Sequence, residues 1–405
     1  MGLFKRRGLK KIKAKKVKNM NSPIAVNSCE IVLKNAYIDI VYTACKECYK
    51  GKIEDDLEKK AKYIEAKVRA GHESVIEHSN IVMMLRLNPQ TIADYAQVVE
   101  YSDFLKFHSK RLTDNSRVVL IGGSILGYKQ LIRRIPDLTN PVLRLIIGCL
   151  YEVHKSFFYD LIEDGVMEER KFDQFTEQHK QNVLDSPNYE LIEFTNVDDI
   201  NELRTNTKSE FKDEDLFKFI SATIYFKDMS RVITQQLTRH RNAISQKSQR
   251  YVSELNPKFN SPVRFREDNT EVIVEVEGKQ FTSQKLGEYY SKVLYEACVK
   301  AGMKNEEARS YLLNNVSSSL FITFSGYNLI HFLKMRCDKH AQNEIRMFAN
   351  IIYDVFKPIF SSFYEPTDIY NIIEPLYKRL TLDELQNTEE PSIFEEVISE
   401  EIISN

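Results

Sequence analysis

A chain of 405 residues with 42% hydrophobic content is long enough to bury a large core and to form two or three domains. Its 57 Lys and Arg and 58 Asp and Glu leave a formal net charge of -1, which argues against a protein that coats nucleic acid. Apolar runs such as 81–85 are far too short to span a bilayer, and six cysteines without a secretory leader or framework spacing point to a reducing compartment, the cytoplasm, with no disulfide scaffold.

The chain opens on a basic arm, residues 1–20, with nine Lys or Arg between positions 4 and 18. It reads as a solvated tail. No apolar core follows the charges, so it is no signal peptide, and Arg6 stands where myristoylation needs Ser or Thr. Cys45-Lys-Glu-Cys48 is a lone Cys-x-x-Cys; zinc would need a second pair, which Cys29, Cys149, Cys298 and Cys337 do not form, so no metal is expected. Next comes Gly71-His72-Glu73-Ser74-Val75-Ile76-Glu77-His78, placed after a helix and before an apolar strand; alone, His72 and Glu77 read equally as helix-end residues. Residues 117–132 give a short apolar run, a glycine turn and a helical pattern, and Gly122-Gly123-Ser124 lacks the Gly-Lys-Ser/Thr ending of a phosphate loop. Helical spacing returns over 142–165, and 168–213 turns polar, a surface excursion. A strand over 217–226 should lead into a helix beginning near Ser230.

The densest signal follows. Gln236-Leu-Thr-Arg239-His240-Arg241, then Ser248-Gln249-Arg250-Tyr251, sets fixed positive charge beside a hydroxyl. Arginine presents a planar fork of donors suited to phosphate, so Arg239, Arg241 and Arg250 predict a phosphate-handling site, against the alternative of a solvated basic helix face. From 328 to 357 the residues Leu329, Phe332, Leu333, Ala341, Ile345, Phe348, Ala349, Ile352 and Phe356 form a helical core stripe. Function is confined to the polar residues riding on it: Arg336, with His331, Gln342 and Glu344. The chain closes on an acidic tail, 381–405, with eight Asp or Glu in its last two dozen residues.

In this order the His72–His78 element, the Arg239-His240-Arg241 triplet with Ser248 and Arg250-Tyr251, Arg309 in Glu307-Ala308-Arg309, and the Arg336 helix resemble the motifs of flavin-dependent thymidylate synthases. The resemblance implies an α+β fold, an antiparallel or mixed sheet flanked by long helices. Because about 160 residues separate His78 from Arg239, it also implies a discontinuous catalytic domain, 21–88 and 214–380, interrupted by a mainly helical insertion, 89–213. The family's spacing between triplet and serine is one residue longer than the stretch Asn242 to Lys247 here; the gap falls near Ala243 and Ile244, and Gln246 sits where glutamate is frequent.

The implied activity is conversion of dUMP to dTMP, with methylenetetrahydrofolate as carbon donor and FAD, reduced by NADPH, as hydride source. No cysteine lies in the signature to attack the uracil ring. By the same resemblance Arg336 is the catalytic residue. Gln236, Arg239, Gln246, Ser248, Gln249, Arg250, Arg309 and Arg336 bind dUMP. His72, Ser74, Glu77, Arg239, His240, Arg241, Ser325, Tyr327 and His331 bind FAD, with Gly326 in the same loop and Cys48 in an early helix nearby. A homotetramer with shared active sites is implied, with no membrane and no nucleic-acid partner. Two rivals stay open: a degenerate homologue that binds flavin and nucleotide without turnover, marked by the short signature loop, and a nucleic-acid-binding protein, marked by the basic arm.

Overall fold

The computed structural model describes residues 28–35, 37–113, 115–173, 184–185, 189–194, 197–207, 211–260 and 272–363. The basic arm, the acidic tail and 364–380 lie outside the described residues. The first half runs β1 (Ser28–Asn35), α1 (Ile38–Tyr49), α2 (Leu57–Arg69), a 3-10 turn (Glu73–His78), β2 (Asn80–Leu87), α3 (Ile92–Glu100), β3 (Lys106–Arg111), β4 (Arg117–Gly123), α4 (Ile125–Arg134), α5 (Pro141–Leu150), α6 (Tyr159–Glu163) and α7 (Glu169–Phe172). Local chemistry sets these boundaries. Asp56 accepts from Lys59 N at 2.9 Å to start α2, Ser124 accepts from Gly127 N at 3.2 Å to start α4, and Asn140 caps α5 ahead of Pro141.

The second half runs β5 (Leu184–Asp185), β6 (Tyr189–Phe194), α8 (Val197–Asn206), α9 (Asp213–Phe217), β7 (Ser221–Ser230), α10 (Arg231–Leu237), β8 (Ala243–Gln246), β9 (Ile273–Val276), β10 (Lys279–Thr282), α11 (Ser283–Lys300), α12 (Asn305–Ala308), β11 (Ser317–Ser325), α13 (Gly326–Arg336) and α14 (Asn343–Phe363). The fold is α+β, and every strand pairing is antiparallel among the described residues. One sheet has the order β1-β2-β4-β3, a second β5-β6-β7-β11-β8, and β9 and β10 form a separate hairpin.

The four-stranded sheet is covered on both faces. Alternation puts Ile81, Met83, Leu85, Val119 and Ile121 into a core with α4 and α5, and Val82, Met84, Val118 and Leu120 into a core shared with α8, α13 and α14. The five-stranded sheet turns Phe226, Leu320, Ile322 and Phe324 to that shared core, while Tyr225 and Phe321 meet Tyr37, Ile40 and Ala44 of α1 and its leading residue. Gly122 lies in β4 rather than in a phosphate turn, and a Cβ there would run into the Phe219 ring, so it is glycine for close packing.

Several expectations shift. The strand expected over 217–226 lies at Ser221–Ser230, because Asp213–Phe217 closes a helical turn first; the helix begins at Arg231, after Ser230 in extended backbone. The 328–357 stripe divides into α13 and α14, parted where Asp338 accepts from His340 N at 2.7 Å, and both helices bury it. Within 89–213 the described residues hold helices α3 to α8, yet β3 and β4 complete the first sheet and β6 pairs with β7 in the second. Nor is 168–213 only a surface excursion: Ile200 and Leu203, three apart on charged α8, are fully buried.

Candidate active site

The Arg-His-Arg triplet forms the last turn after α10, and Arg241 leaves it in the left-handed region, φ 49°, which turns the chain into β8. The start of α10 is braced from α14, where the Glu344 carboxylate accepts from Ser230 N at 2.8 Å and from Ser230 Oγ at 2.5 Å. Burial pushes the Glu344 carboxyl up, opposed by the Ser230 bonds. Gln342, beside it, accepts from Gln236 Nε2 at 2.6 Å.

Arg336, the last residue of α13, closes this arrangement. Its Nε donates to His240 Nε2 at 3.1 Å and its Nη1 to Gln236 Oε1 at 3.3 Å. Burial, then the charges of Arg336 and His331, lower His240 to about 4, so at neutral pH the ring is uncharged and can accept from the guanidinium. Burial and Arg239 lower Arg336 in turn. His331 is exposed, its ring 5.8 Å from that of His240. Arg239 is exposed on the same turn.

A second group gathers where β8 ends. Ser248 N donates to the Cys48 carbonyl at 3.2 Å, which anchors the short loop to α1, and Ser248 Oγ accepts from Arg250 N at 3.2 Å. Arg250 pairs with Glu306 at 3.1 Å, and Arg309 Nε donates to the Glu306 carbonyl at 3.1 Å, so the two guanidiniums converge on one residue. Gln249 is buried with its Nε2 unpartnered, and Gln246 donates to Thr234 Oγ1 at 2.9 Å. Arg231, which the motifs did not single out, belongs here. Its Nη1 is buried without a partner, and burial together with neighbouring Arg309 lowers its pKa. Arg231 and Arg309 are like charges in a half-buried setting, and although Glu306 pairs with Arg250 and Glu254 with Lys247 at 2.6 Å, the unpartnered Arg231 Nη1 leaves a place for an anion. The only sequence signal was a lone arginine at the first helical position.

The third group lines a cavity of about 450 Å³, with Glu77, Lys106 and Ser124 from the first half of the chain and Arg241, Ser325 and Asn328 from the second. Burial raises the Glu77 carboxyl, and Ser325 Oγ is buried without a partner. Lys106, a cation carried by an ordinary strand, is lowered to about 8 by burial and by Lys218. His78 is wholly buried behind the wall, its ring nitrogens 2.9 Å from Thr323 Oγ1 and 3.0 Å from Ser245 Oγ. His72 and Ser74 are exposed at the start of the 3-10 turn, His72 capping nothing with its side chain, and Tyr327 lies half exposed against Phe217. The structure thus joins Gln236, His240, His331 and Arg336; it joins Ser248, Gln249, Arg250 and Arg309; it sets Glu77, Arg241 and Ser325 around one cavity; and it brings His72 and Ser74 to none of these groups.

Residues 176–361 match the family described as Thymidylate synthase complementing protein. That match begins inside the expected insertion and does not include the His72–His78 element. Curated relatives named flavin-dependent thymidylate synthase include one from Wolbachia pipientis wMel, 32% identical over 31% of this chain and 48% of its own length. A second, from Clostridium tetani, is 30% identical over 36% and 62%, and a third, from Geobacter sulfurreducens, is 32% identical over 34% and 56%. The chain therefore spans about half to three fifths of these relatives. Two crystal structures of the Helicobacter pylori thymidylate synthase X with FAD and dUMP are similar at 19% and 20% identity, over 46% and 45% of this chain and 98% and 85% of theirs, with TM-scores of 0.33 and 0.29.

Proposed function

We infer that the chain belongs to the flavin-dependent thymidylate synthase family and converts dUMP to dTMP. The observation that carries this reading is the contact of Arg336 with uncharged His240 and with Gln236, a cation held ready beside the signature turn. C5 of uracil is not nucleophilic until electron density is pushed toward it, and Arg336 stabilises the negative charge that develops on the ring when it is. Arg231, Arg309 and Arg250 hold the phosphate, and Ser248, Gln249 and Gln246 the sugar and base, with Arg239 and Gln236 at the ring.

The cavity fits a flavin nucleotide through the polar groups that line it, among them Ser325 Oγ, buried without a partner, and Lys106, whose Nζ donates to the Lys218 carbonyl at 3.3 Å. Arg241 and Lys106 suit the diphosphate, and the orphaned Ser325 hydroxyl and the Glu77 carboxyl suit ribose or ring positions. When bound, the flavin is the hydride source, recharged by NADPH, with methylenetetrahydrofolate as carbon donor. His72, Ser74, Tyr327 and His331, which the resemblance also assigns to the flavin, do not line this cavity. Assembly of several copies of the domain, with sites shared between them, belongs to the same reading.

Tritium release from dUMP labelled at C5, with FAD, NADPH and methylenetetrahydrofolate, tests the activity. Release is expected from the wild type. Flavin and nucleotide binding without release would replace this reading with that of a degenerate homologue.

A further inference from the structure

The two halves of the chain repeat one another. Their sheets have the same strand order, β1-β2-β4-β3 and β6-β7-β11-β8, with every pairing antiparallel. The registers agree from Ile81 to Leu85 and from Ala222 to Phe226: Ile81 faces Gly123 and Gly122 faces Lys106 in the first sheet, as Ala222 faces Phe324 and Thr323 faces Ala243 in the second, and they part only where β11 alone bulges between Ser318 and Leu320. Even the irregularity recurs at the same rung. The bulge between Ile31 and Leu33 lies opposite Val82 and Met83, and that between Leu191 and Glu193 lies opposite their counterparts Thr223 and Ile224. A serine precedes the helix after each central strand, Ser124 before α4 and Ser325 before α13.

Packing between the halves is reciprocal. Tyr37, Ile40 and Ala44 of the first half cover Tyr225 and Phe321 of the second sheet, and Ile200 and Leu203 of α8, the matching helix, join Val82, Met84, Val118 and Leu120 of the first. His78 bonds Thr323, and at the matching positions the Phe219 ring lies over Gly122. Two like units exchanging the same contact is the signature of a two-fold relation.

Counted from these registers, the functional residues are divided. His72, Ser74, Glu77 and His78 have Asp213, Asp215, Lys218 and Phe219 as counterparts, so the second half lacks the His-Glu element. Arg239, His240 and Arg241 have Ser102, Asp103 and Phe104, and Arg336 has Ile135, so the first half lacks the triplet and the activating arginine. The segment carrying Arg309 has no counterpart, since residues 112–116 alone join β3 to β4. The cavity is lined from both halves: Ser124 and Ser325 are counterparts that both line it, as do Lys106 and Ala243, but Glu77 comes from the first half alone and Arg241 from the second alone.

We propose that the chain is a tandem duplication of one domain, residues 28–172 and 184–363, whose copies have each lost what the other kept, so that the cavity between them is a composite site holding one flavin nucleotide per chain. This rests on the flavin reading given above. The division replaces a catalytic domain split around an insertion with two intact copies, and it accounts for a family match that begins near residue 176 and leaves the first motif outside.

The test measures FAD bound per full-length chain, by absorbance after release, and FAD affinity in Glu77→Gln, Arg241→Met and the two variants co-expressed with separable tags. One FAD per wild-type chain is expected, with affinity lowered about tenfold or more in either variant, as for loss of a hydrogen bond to a charged group. Co-expression should restore nothing, because each chain then carries its own damaged site. Two FAD per wild-type chain would overturn the division between copies, and wild-type affinity in part of the co-expressed protein would show sites built between chains and overturn the composite site. Absence of FAD from the wild type would instead overturn the flavin reading on which the proposal stands. The wild-type ratio requires no variant to fold.

Discussion

Arg336 touches two groups that are uncharged at neutral pH, His240 and Gln236, and among the described residues no carboxylate pairs with it. A charge kept for the reacting ring should matter most once the ring becomes anionic. Arg336→Ala is expected to lower kcat far more than it alters KM for dUMP; steady-state kinetics decide, and a pure KM effect would make Arg336 a clamp. Arg231 makes the opposite forecast. Its unpartnered, buried Nη1 should serve the phosphate alone, so Arg231→Met should weaken dUMP binding about tenfold or more in calorimetric titration and leave FAD affinity unchanged. Lys106 adds a pH dependence. Lowered to about 8 in the open cavity, it is protonated below that value and neutral above it. An anionic flavin nucleotide favours the protonated form, so FAD affinity should fall as pH rises through about 8, and Lys106→Met should flatten the profile. The triplet and its arginines were legible in the sequence because several charged residues recur at set spacing. Arg231 and Lys106 were not, since each is a single cation in an otherwise ordinary helix or strand.

Among the elements, the junction of β11 with α13 tolerates least. A Cβ on Gly326 would collide with the Phe217 carbonyl oxygen, a backbone atom that cannot rotate away. Gly326→Ala should lower stability by about 1–3 kcal/mol, read from the urea midpoint, and should weaken FAD binding because Ser325 borders the cavity. The packing of the 3-10 turn against β8 and β11 is sensitive to acid. His78, wholly buried between Thr323 and Ser245, is lowered by desolvation from 6.5 to about 3. The unfolded chain therefore takes up the proton first. Stability is complete above about pH 6.5 and declines as pH falls toward about 3, by roughly 2 kcal/mol at pH 5. Denaturation at pH 7 and pH 5 should show that slope, and His78→Gln should reduce it. Helices and strands with a clear apolar period, such as β2 and the α13–α14 stripe, could be read directly. The break between α13 and α14 could not, because the stripe resumes in phase on its far side and only the Asp338 turn marks it.

At the scale of the whole molecule the repeat escaped sequence reading because it is kept in backbone register and hardly at all in residue type. Gly122 stands where Thr323 does, Phe219 where His78 does, and Phe104 where Arg241 does. What persists is a ladder, a bulge and a pair of serines. Should the copies rather than the chains be the assembling units, a four-domain assembly needs two chains, and light scattering should give about twice the 47.4 kDa chain mass rather than four times. The crossed packing has a consequence for biosynthesis. Val82, Met84, Val118 and Leu120 are covered only once Ile200 and Leu203 exist, so a ribosome that has finished the first copy presents a completed sheet with one bare oily side. During that interval the nascent chain is a natural client for chaperones, and a gene truncated after residue 172 should yield insoluble protein even though that copy contains a core of its own.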